Sequence, residues 1–256
     1  PSDVVVETQI GDRTVYFLPR HGRGHVFLPS EVPYRANIHA MKQLDVTHLL
    51  AVSAVGIMQE YIQPGDMVVP DQIFDRTKGV RPSTFFGEGV VGHVAFADPF
   101  CDELRELLLQ ASQQTEATVH AGGTYVCMEG PQFSTRAESH FYRREVDATV
   151  IGMTALPEAK LAREAEMCYA MLAMGTDYDC WHEAEEDVSV EAVVAVLKAN
   201  AERANNIVKI LAGLLPESSS CACLNAAQYA IMTAPDAISD EAKARLHVLY
   251  GRYLTS

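Results

Sequence analysis

Continuous runs of apolar and β-branched residues alternate along the chain with segments whose apolar side chains recur every three or four positions. The continuous runs are typical of strands buried on both faces, and the spaced pattern is typical of amphipathic helices. We predict strands over residues 3–8, 14–19, 49–53, 66–74, 123–128, 148–152 and 167–175. We predict helices over residues 34–44, 102–113, 156–166, 189–214 and 239–253.

Strands separated by helices predict an α/β fold, with a central, mixed and largely parallel sheet flanked by helices in a single domain. No linker rich in Gly, Ser or Pro divides the chain. No G-x-G-x-x-G motif follows a predicted strand, and neither a G-x-x-x-x-G-K-[ST] loop nor a G-x-S-x-G elbow is present. The sequence therefore disfavours nicotinamide, P-loop and α/β-hydrolase chemistry.

The net charge of the chain excludes some classes of binding partner. The 256 residues include 34 Asp and Glu against 20 Lys and Arg, which gives a formal net charge of −14. Nucleic acids and anionic membranes both require clustered cations, so neither is an expected partner. No apolar run reaches the ~18 residues of a membrane span and no secretory leader is recognisable, so we expect a cytoplasmic protein. Six cysteines are then expected as thiols, and their spacing offers no complete set of metal ligands, so no metal is expected.

Three segments at the ends of predicted strands carry unusual polar residues. Residues 19–25 hold two Arg and two His, which suit an anion or form a solvated basic loop. Residues 52–56 place a Ser before small residues whose backbone amides can approach an oxyanion. Residues 128–138 join a Gly-Pro turn to an aromatic residue and to hydroxyls that also suit a helix N-cap.

A fourth segment, residues 174–181, places Asp177 and Asp179 directly after the last buried strand. In an extended chain two such residues point to the same side. Neighbouring carboxylates repel, which raises the pKa of one of them and suits a neutral general acid beside a hydrogen-bond acceptor. The alternative is a solvated acidic loop, because further acidic residues follow over 183–187.

In this order along the chain, the segments resemble the motifs of the trimeric purine nucleoside phosphorylases. The matching segments are RHGRGH (20–25), SAVG (53–56), IQPGDMVVPDQIFDRT (62–77), EGPQFSTRAE (129–138), GMTALPEAKLAREAEMCYA (152–170) and TDYDCW (176–181). We therefore predict a nucleoside phosphorylase domain over 1–232 and a C-terminal helical extension over 233–256. The family's N-terminal strand and Gly-rich phosphate loop have no counterpart after Pro1, and we expect them to precede it.

The resemblance implies phosphorolysis of 5′-methylthioadenosine to adenine and 5-methylthioribose 1-phosphate, in purine and methionine salvage. Inorganic phosphate is the co-substrate, no metal or organic cofactor is implied, and the expected assembly is a homotrimer with sites near subunit interfaces. Two alternatives stay open: a purine nucleoside phosphorylase acting on inosine, guanosine or adenosine, and a nucleoside-binding homologue without catalysis. Related enzymes that cleave 6-oxopurines place Asn where Asp177 stands, so this Asp favours 6-aminopurines.

The resemblance also assigns roles to individual residues. Asp177 would donate a proton to N7 of the leaving adenine, and Asp179 would accept from its exocyclic amine. The phosphate subsite would comprise Arg20, His21, Ser53, the Ala54 backbone and Thr154. The nucleoside would contact Phe133 and Ser134 at the base, Met153 at the ribose, His93, Val190 and Val193 at the methylthio group, and Met232 from a neighbouring subunit.

Two disulfides are alternatives to free thiols. Some thermophilic members of the family carry disulfides, and this resemblance offers the bridges Cys101–Cys168 and Cys221–Cys223. A Cys-x-Cys ring is strained, and a reducing compartment opposes both bridges.

Overall fold

A computed structural model describes residues 1–182, 190–217 and 219–254, with the backbone alone for 190–197 and 199. The strands are β1 Val6–Ile10, β2 Arg13–Phe17, β3 His48–Ile57, β4 Met67–Val69, β5 Gln72–Arg76, β6 Val119–Ala121, β7 Thr124–Met128, β8 Ala148–Gly152 and β9 Cys168–Asp177. The α-helices are α1 Tyr34–Gln43, α2 Asp102–Ser112, α3 Arg136–Glu145, α4 Ala155–Glu164, α5 Val190–Leu214 and α6 Asp240–Tyr250. Short 3-10 helices cover Ala222–Asn225, Pro235–Ala237 and Gly251–Tyr253.

Seven strands form one sheet in the order β5-β7-β8-β3-β9-β4-β6, and β1 and β2 form a separate antiparallel hairpin. Within the large sheet, β3 is antiparallel to β8 and β9 is antiparallel to β4, and the other four neighbouring pairs are parallel. The predicted mixed, largely parallel sheet flanked by helices is confirmed. Strands β3 and β9 form the central pair of the sheet. Nine of the ten residues of β9 are buried, whereas most residues of β3 are only partly buried.

The structure departs from the predicted elements in several places, among them the unpredicted strand β6. The predicted strand over 66–74 is divided into β4 and β5 at Pro70 and Asp71, because Pro has no N–H to donate to a ladder. Residues 136–145 form α3, which the hydrophobic pattern does not indicate because only Ser139 and Tyr142 of this helix are buried. Its start is nevertheless marked by a complete capping box between Thr135 and Glu138.

The predicted C-terminal helix is present as α6, and it contributes to the main core. Ser239 caps it by accepting a hydrogen bond from the Ala242 amide at 3.2 Å. The Tyr250 ring is fully buried and stacks on Phe86 with ring centroids 4.9 Å apart. Across the three described stretches of chain, no helix combines the length and the apolar character needed to cross a bilayer.

All six cysteines are free thiols in the structure, so neither the Cys101–Cys168 nor the Cys221–Cys223 bridge is formed. Both pairings stay predictions for the oxidised protein. The four residues nevertheless converge, with their sulfur atoms all within 4.8 Å of one another.

Candidate active site

The ends of β3 and β9 bring the predicted polar segments together. The two strands run parallel from His48 and Cys168, and Ser53 lies opposite Ala173. Near the end the register shifts, so that Val55 pairs with Gly175 but Gly56 pairs with Asp177. The intervening Thr176 is therefore a bulge, a feature that bends a strand and redirects the side chain beside it.

Hydrogen bonds from the bulge fix the Asp177 carboxylate. The Thr176 hydroxyl is 2.6 Å from Asp177 Oδ2 and 3.2 Å from the Val55 carbonyl. The Asp179 amide donates to Asp177 Oδ1 at 2.9 Å. A Cβ atom on Gly56 would lie 2.9 Å from Ile151 Cγ2 and 3.5 Å from Asp177 Oδ1, so Gly56 allows this close approach.

Asp179 lies in a turn rather than in an extended strand, with φ of 52°. Its carboxylate is buried and accepts a 2.5 Å hydrogen bond from Ser139 Oγ on α3. Burial raises the pKa of Asp179, and the neighbouring charge of Asp177 raises it further, against the opposing effect of Ser139. Asp179 therefore has a raised pKa, and burial is the main cause of the rise.

The turn that carries Asp179 is anchored to the end of β3. Trp181 Nε1 donates to the Ile57 carbonyl at 2.7 Å, and the Arg143 guanidinium lies 3.6 Å from the Trp181 ring centroid. The indole hydrogen bond and the cation–π contact hold residues 177–181 in place.

An Arg-centred cluster lies at the other end of the candidate site. Arg20 donates to both carboxylate oxygens of Glu158, from Nε at 2.7 Å and from Nη2 at 2.9 Å. Its third donor, Nη1, lies 3.2 Å from Thr154 Oγ1, and the Ser53 hydroxyl lies 3.3 Å from the same Thr154 oxygen. The structure therefore brings together three of the five residues predicted to hold phosphate, with the Ala54 backbone next in the chain.

Glu158 is a member of this cluster that the sequence analysis did not single out. Burial by itself lowers the pKa of Arg20, but the paired Glu158 carboxylate raises it above its ordinary value. The Tyr169 hydroxyl donates to Glu158 Oε1 at 3.0 Å, so this carboxylate is fixed from two sides. The available signal was the presence of two charged residues, Glu158 and Glu164, on a buried face of α4 that is otherwise apolar.

His21 has a different environment from its neighbour Arg20. Its Nδ1 is 2.8 Å from the Phe27 carbonyl and its ring stacks on His25 at 4.3 Å. Burial lowers the pKa of His21, although the Phe27 carbonyl acts in the opposite direction. Since a carbonyl only accepts, Nδ1 is the donor, and Nε2 can donate to a bound anion only when the ring is protonated.

The residues predicted to meet the base and ribose lie on the segment after β7 and on the end of β8. The Cys180 thiol donates to the Ser134 carbonyl at 3.3 Å, which joins this segment to the Asp179 turn. Phe133 is 57% exposed, so it encloses the predicted base-binding region only in part. The Met153 carbonyl accepts from Arg81 Nη1 at 2.6 Å, and a Cβ on Gly130 would lie 2.4 Å from the Met153 sulfur.

Arg81 and Glu129 support that wall, and sequence reasoning missed both. Arg81 Nε donates to Glu129 Oε1 at 2.6 Å, and both side chains are buried. Glu129 also accepts from Ser30 Oγ at 2.5 Å and from the Lys78 amide at 2.6 Å. The Arg and Glu are far apart in sequence, so the pairing has no local signature.

His93 and Met232, predicted for the methylthio group, lie on two paired segments of the chain, His93 opposite Ala230 and Met232 opposite Val91. A bridge joins Gly92 to Ile231, and the His93 amide donates to the Ala230 carbonyl at 2.9 Å. Met232 is 68% exposed. The side chains of Val190 and Val193 lie outside the described residues.

Comparisons with known proteins identify the family of the chain. The model of the phosphorylase superfamily matches residues 3–212. An S-methyl-5′-thioadenosine phosphorylase from Geobacter sulfurreducens is 53% identical over 254 residues, covering 99% of this chain and 88% of that protein.

Two solved structures have the same fold. A methylthioadenosine phosphorylase from an Antarctic soil metagenomic library superposes with a TM-score of 0.92 at 49% identity, covering 97% of this chain and 88% of that one. A mutant adenosine/methylthioadenosine phosphorylase from Schistosoma mansoni, in complex with methylthioadenosine, superposes with a TM-score of 0.82 at 37% identity, covering 89% of this chain and 85% of that one. With the family model and these relatives matching most of its length, the chain belongs to the phosphorylase superfamily.

Proposed function

We propose that this chain catalyses the phosphorolysis of 5′-methylthioadenosine, giving adenine and 5-methylthioribose 1-phosphate, in purine and methionine salvage in the cytoplasm. The observation that carries the proposal is the Arg20–Thr154–Ser53 cluster beside β3, with Asp177 at the end of the neighbouring strand β9. Ser53 and Gly56 are three positions apart on β3, and Gly56 faces Asp177, so the two ends are separated by about 10 Å. A ribose fits between a phosphate at one end and a purine at the other.

The mechanism follows from where charge develops. Cleavage of the C–N bond leaves positive charge on the sugar and negative charge on the base. Phosphate held by Arg20, Ser53 and Thr154 faces the cationic sugar and attacks its anomeric carbon. In its protonated form Asp177 gives its carboxyl proton to N7 of the departing adenine and becomes a carboxylate, and Asp179 accepts from the exocyclic amine. No metal or organic cofactor takes part in this scheme.

The choice among the three functional hypotheses rests on one assay. Purified protein is incubated with 5′-methylthioadenosine, adenosine or inosine, with and without phosphate, and the free base is measured by chromatography. We expect phosphate-dependent release of adenine from 5′-methylthioadenosine, with inosine the slowest substrate. Preferred cleavage of inosine would support the 6-oxopurine alternative, and nucleoside binding without base release would support a non-catalytic homologue.

We further propose that the active form is a homotrimer with shared sites. Exposed apolar side chains lie on the same two segments as His93 and Met232, including Tyr229 at 87% and Val91 at 54%. An interface that covers this patch would place Met232 at the methylthio end of the partner subunit's site.

Sedimentation at micromolar concentration is expected to give about three times 28.1 kDa. Tyr229→Glu should shift the protein toward monomer and lower turnover, because a charge would be buried at the interface. Tyr229→Phe is the matched control and should leave both unchanged. A fully active parent monomer would contradict the shared-site arrangement.

A further inference from the structure

Four cysteines from three distant parts of the chain meet outside the candidate active site. Cys101 caps the N-terminus of α2, and Cys168 is the first residue of β9. Cys221 and Cys223 belong to the segment after α5, at the start of a 3-10 helix. All four sulfur atoms lie within 4.8 Å of one another, and Cys101 and Cys221 are 3.5 Å apart.

These separations match a tetrahedral tetrathiolate site. Four sulfurs bound at 2.3 Å to a central zinc ion lie about 3.8 Å from one another, whereas a disulfide requires about 2.05 Å. Cys101 and Cys168 are buried, and Cys221 and Cys223 are half-buried, so the centre is enclosed but has a path for entry. Soft thiolate ligands in this geometry select zinc over calcium, magnesium or manganese.

Backbone and side-chain hydrogen bonds hold the cysteines in place without an ion. The Cys101 amide donates to the Tyr169 carbonyl at 2.7 Å, and the Cys168 amide donates to the Thr47 carbonyl at 2.8 Å. On the loop side, the Cys221 amide donates to Ser219 Oγ at 3.0 Å.

One further contact ties the loop to α2, and another favours thiolate at Cys101. Ser219 Oγ is 3.2 Å from Glu103 on α2, which ties the loop to the helix that Cys101 caps. The Leu104 amide donates to Cys101 Sγ at 3.5 Å, and a helix N-terminus stabilises a thiolate.

We propose that the reduced cluster of Cys101, Cys168, Cys221 and Cys223 binds one zinc ion per chain in a structural site. Uptake replaces the four thiol protons by Zn²⁺, with no change of oxidation state, and the protons pass to solvent. The spacing along the sequence does not indicate this site, because only Cys221 and Cys223 are close together in the chain.

The role is structural rather than catalytic. All four ligands come from the protein, so no position is open for substrate. Cys168 and Asp177 stand nine residues apart on β9, about 30 Å along the strand. Zinc would fasten the segment after α5 to α2 and to the start of β9.

The test uses the full chain, reduced under anaerobic conditions and then freed of metal. Zinc alone is added, and bound metal per chain is measured by mass spectrometry after gel filtration. Cobalt(II) serves as a spectroscopic probe, since four thiolates give a charge-transfer band in the near ultraviolet and intense visible bands. Cys221→Ser and Cys223→Ser test the cluster through its less buried members, and Cys180→Ser is the matched control that leaves all four sulfurs in place.

We expect one zinc per parent chain, a tetrathiolate cobalt spectrum and a higher Tm with zinc than without. Both cluster variants should lose the zinc and the cobalt spectrum, whereas Cys180→Ser should keep them. Failure of the reduced parent to take up zinc would overturn the proposal, as would full zinc content in Cys221→Ser and Cys223→Ser. Neither outcome depends on the substrate that the candidate active site takes.

Discussion

Replacing Asp177 with Asn should lower kcat/KM for 5′-methylthioadenosine by about 10²–10⁴-fold, the usual contribution of a positioned general acid. Asn is nearly isosteric and can keep hydrogen bonds to Thr176 and to the Asp179 amide, so the bulge at the end of β9 should persist. It has no carboxyl proton to give, so the departing base would leave as an anion. The KM for phosphate should change little, because the Arg20 cluster lies at the other end of the site.

A substrate methylated at N7 separates loss of the proton from loss of structure. Its base carries positive charge before cleavage and leaves neutral, so it needs no general acid. Asp177→Asn should therefore cleave the N7-methylated nucleoside at nearly the parent rate. An equal loss on both substrates would show that Asp177 acts by holding the fold of the site, and parent rates on both would remove it from the mechanism.

Replacing Arg20 with Ala should raise the apparent KM for phosphate by about 30- to 150-fold, equivalent to a lost charged contact of about 2–3 kcal/mol. The same change leaves the Glu158 carboxylate without its partner. Arg20 and Glu158 side chains are 13% and 10% exposed, so the free energy of unfolding should also fall by about 3 kcal/mol. A single variant thus mixes a functional and a structural effect.

The double variant Arg20→Ala, Glu158→Gln distinguishes the two effects. Removing both charges should restore much of the stability, because no unpaired carboxylate stays buried, whereas the KM for phosphate should stay high. Arg23→Ala, on the exposed part of the same loop, is the matched control and should leave both quantities unchanged. Steady-state kinetics with varied phosphate and urea unfolding provide the two readouts. Recovery of the phosphate KM in the double variant would mean that Arg20 acts only through the fold.

The sequence predicts those parts of the molecule whose signal is local. Buried runs identify β3, β8 and β9, and the doublet of Asp177 and Asp179 is visible because its members are neighbours in the chain. Helix α3 escapes the hydrophobic pattern since its surface is mostly polar, although its capping box is present. The bulge at Thr176 depends on how two strands align, which neither strand specifies alone.

Long-range pairings are the part that the sequence does not reveal. Glu158 meets Arg20 across 138 positions and Glu129 meets Arg81 across 48, and no spacing rule connects such partners. The four cysteines are a similar case, because α2, β9 and the segment after α5 converge only in the folded chain. In each case the residue type alone does not distinguish the residue from others in the chain. Its function follows from the residues that the fold places beside it.

The pairing of β3 with β9 also has a consequence for biosynthesis. His48 pairs with Cys168, about 120 positions later, so β3 has no parallel neighbour until β9 has left the ribosome. At ~5–20 residues per second this delay is about 6–24 s. During that time the edge of β3 that pairs with β9 is open to chaperones or to aggregation. Since Ser53 and Asp177 lie on these two strands, a nascent chain acquires its phosphate-binding and proton-donating groups together, in the same late step.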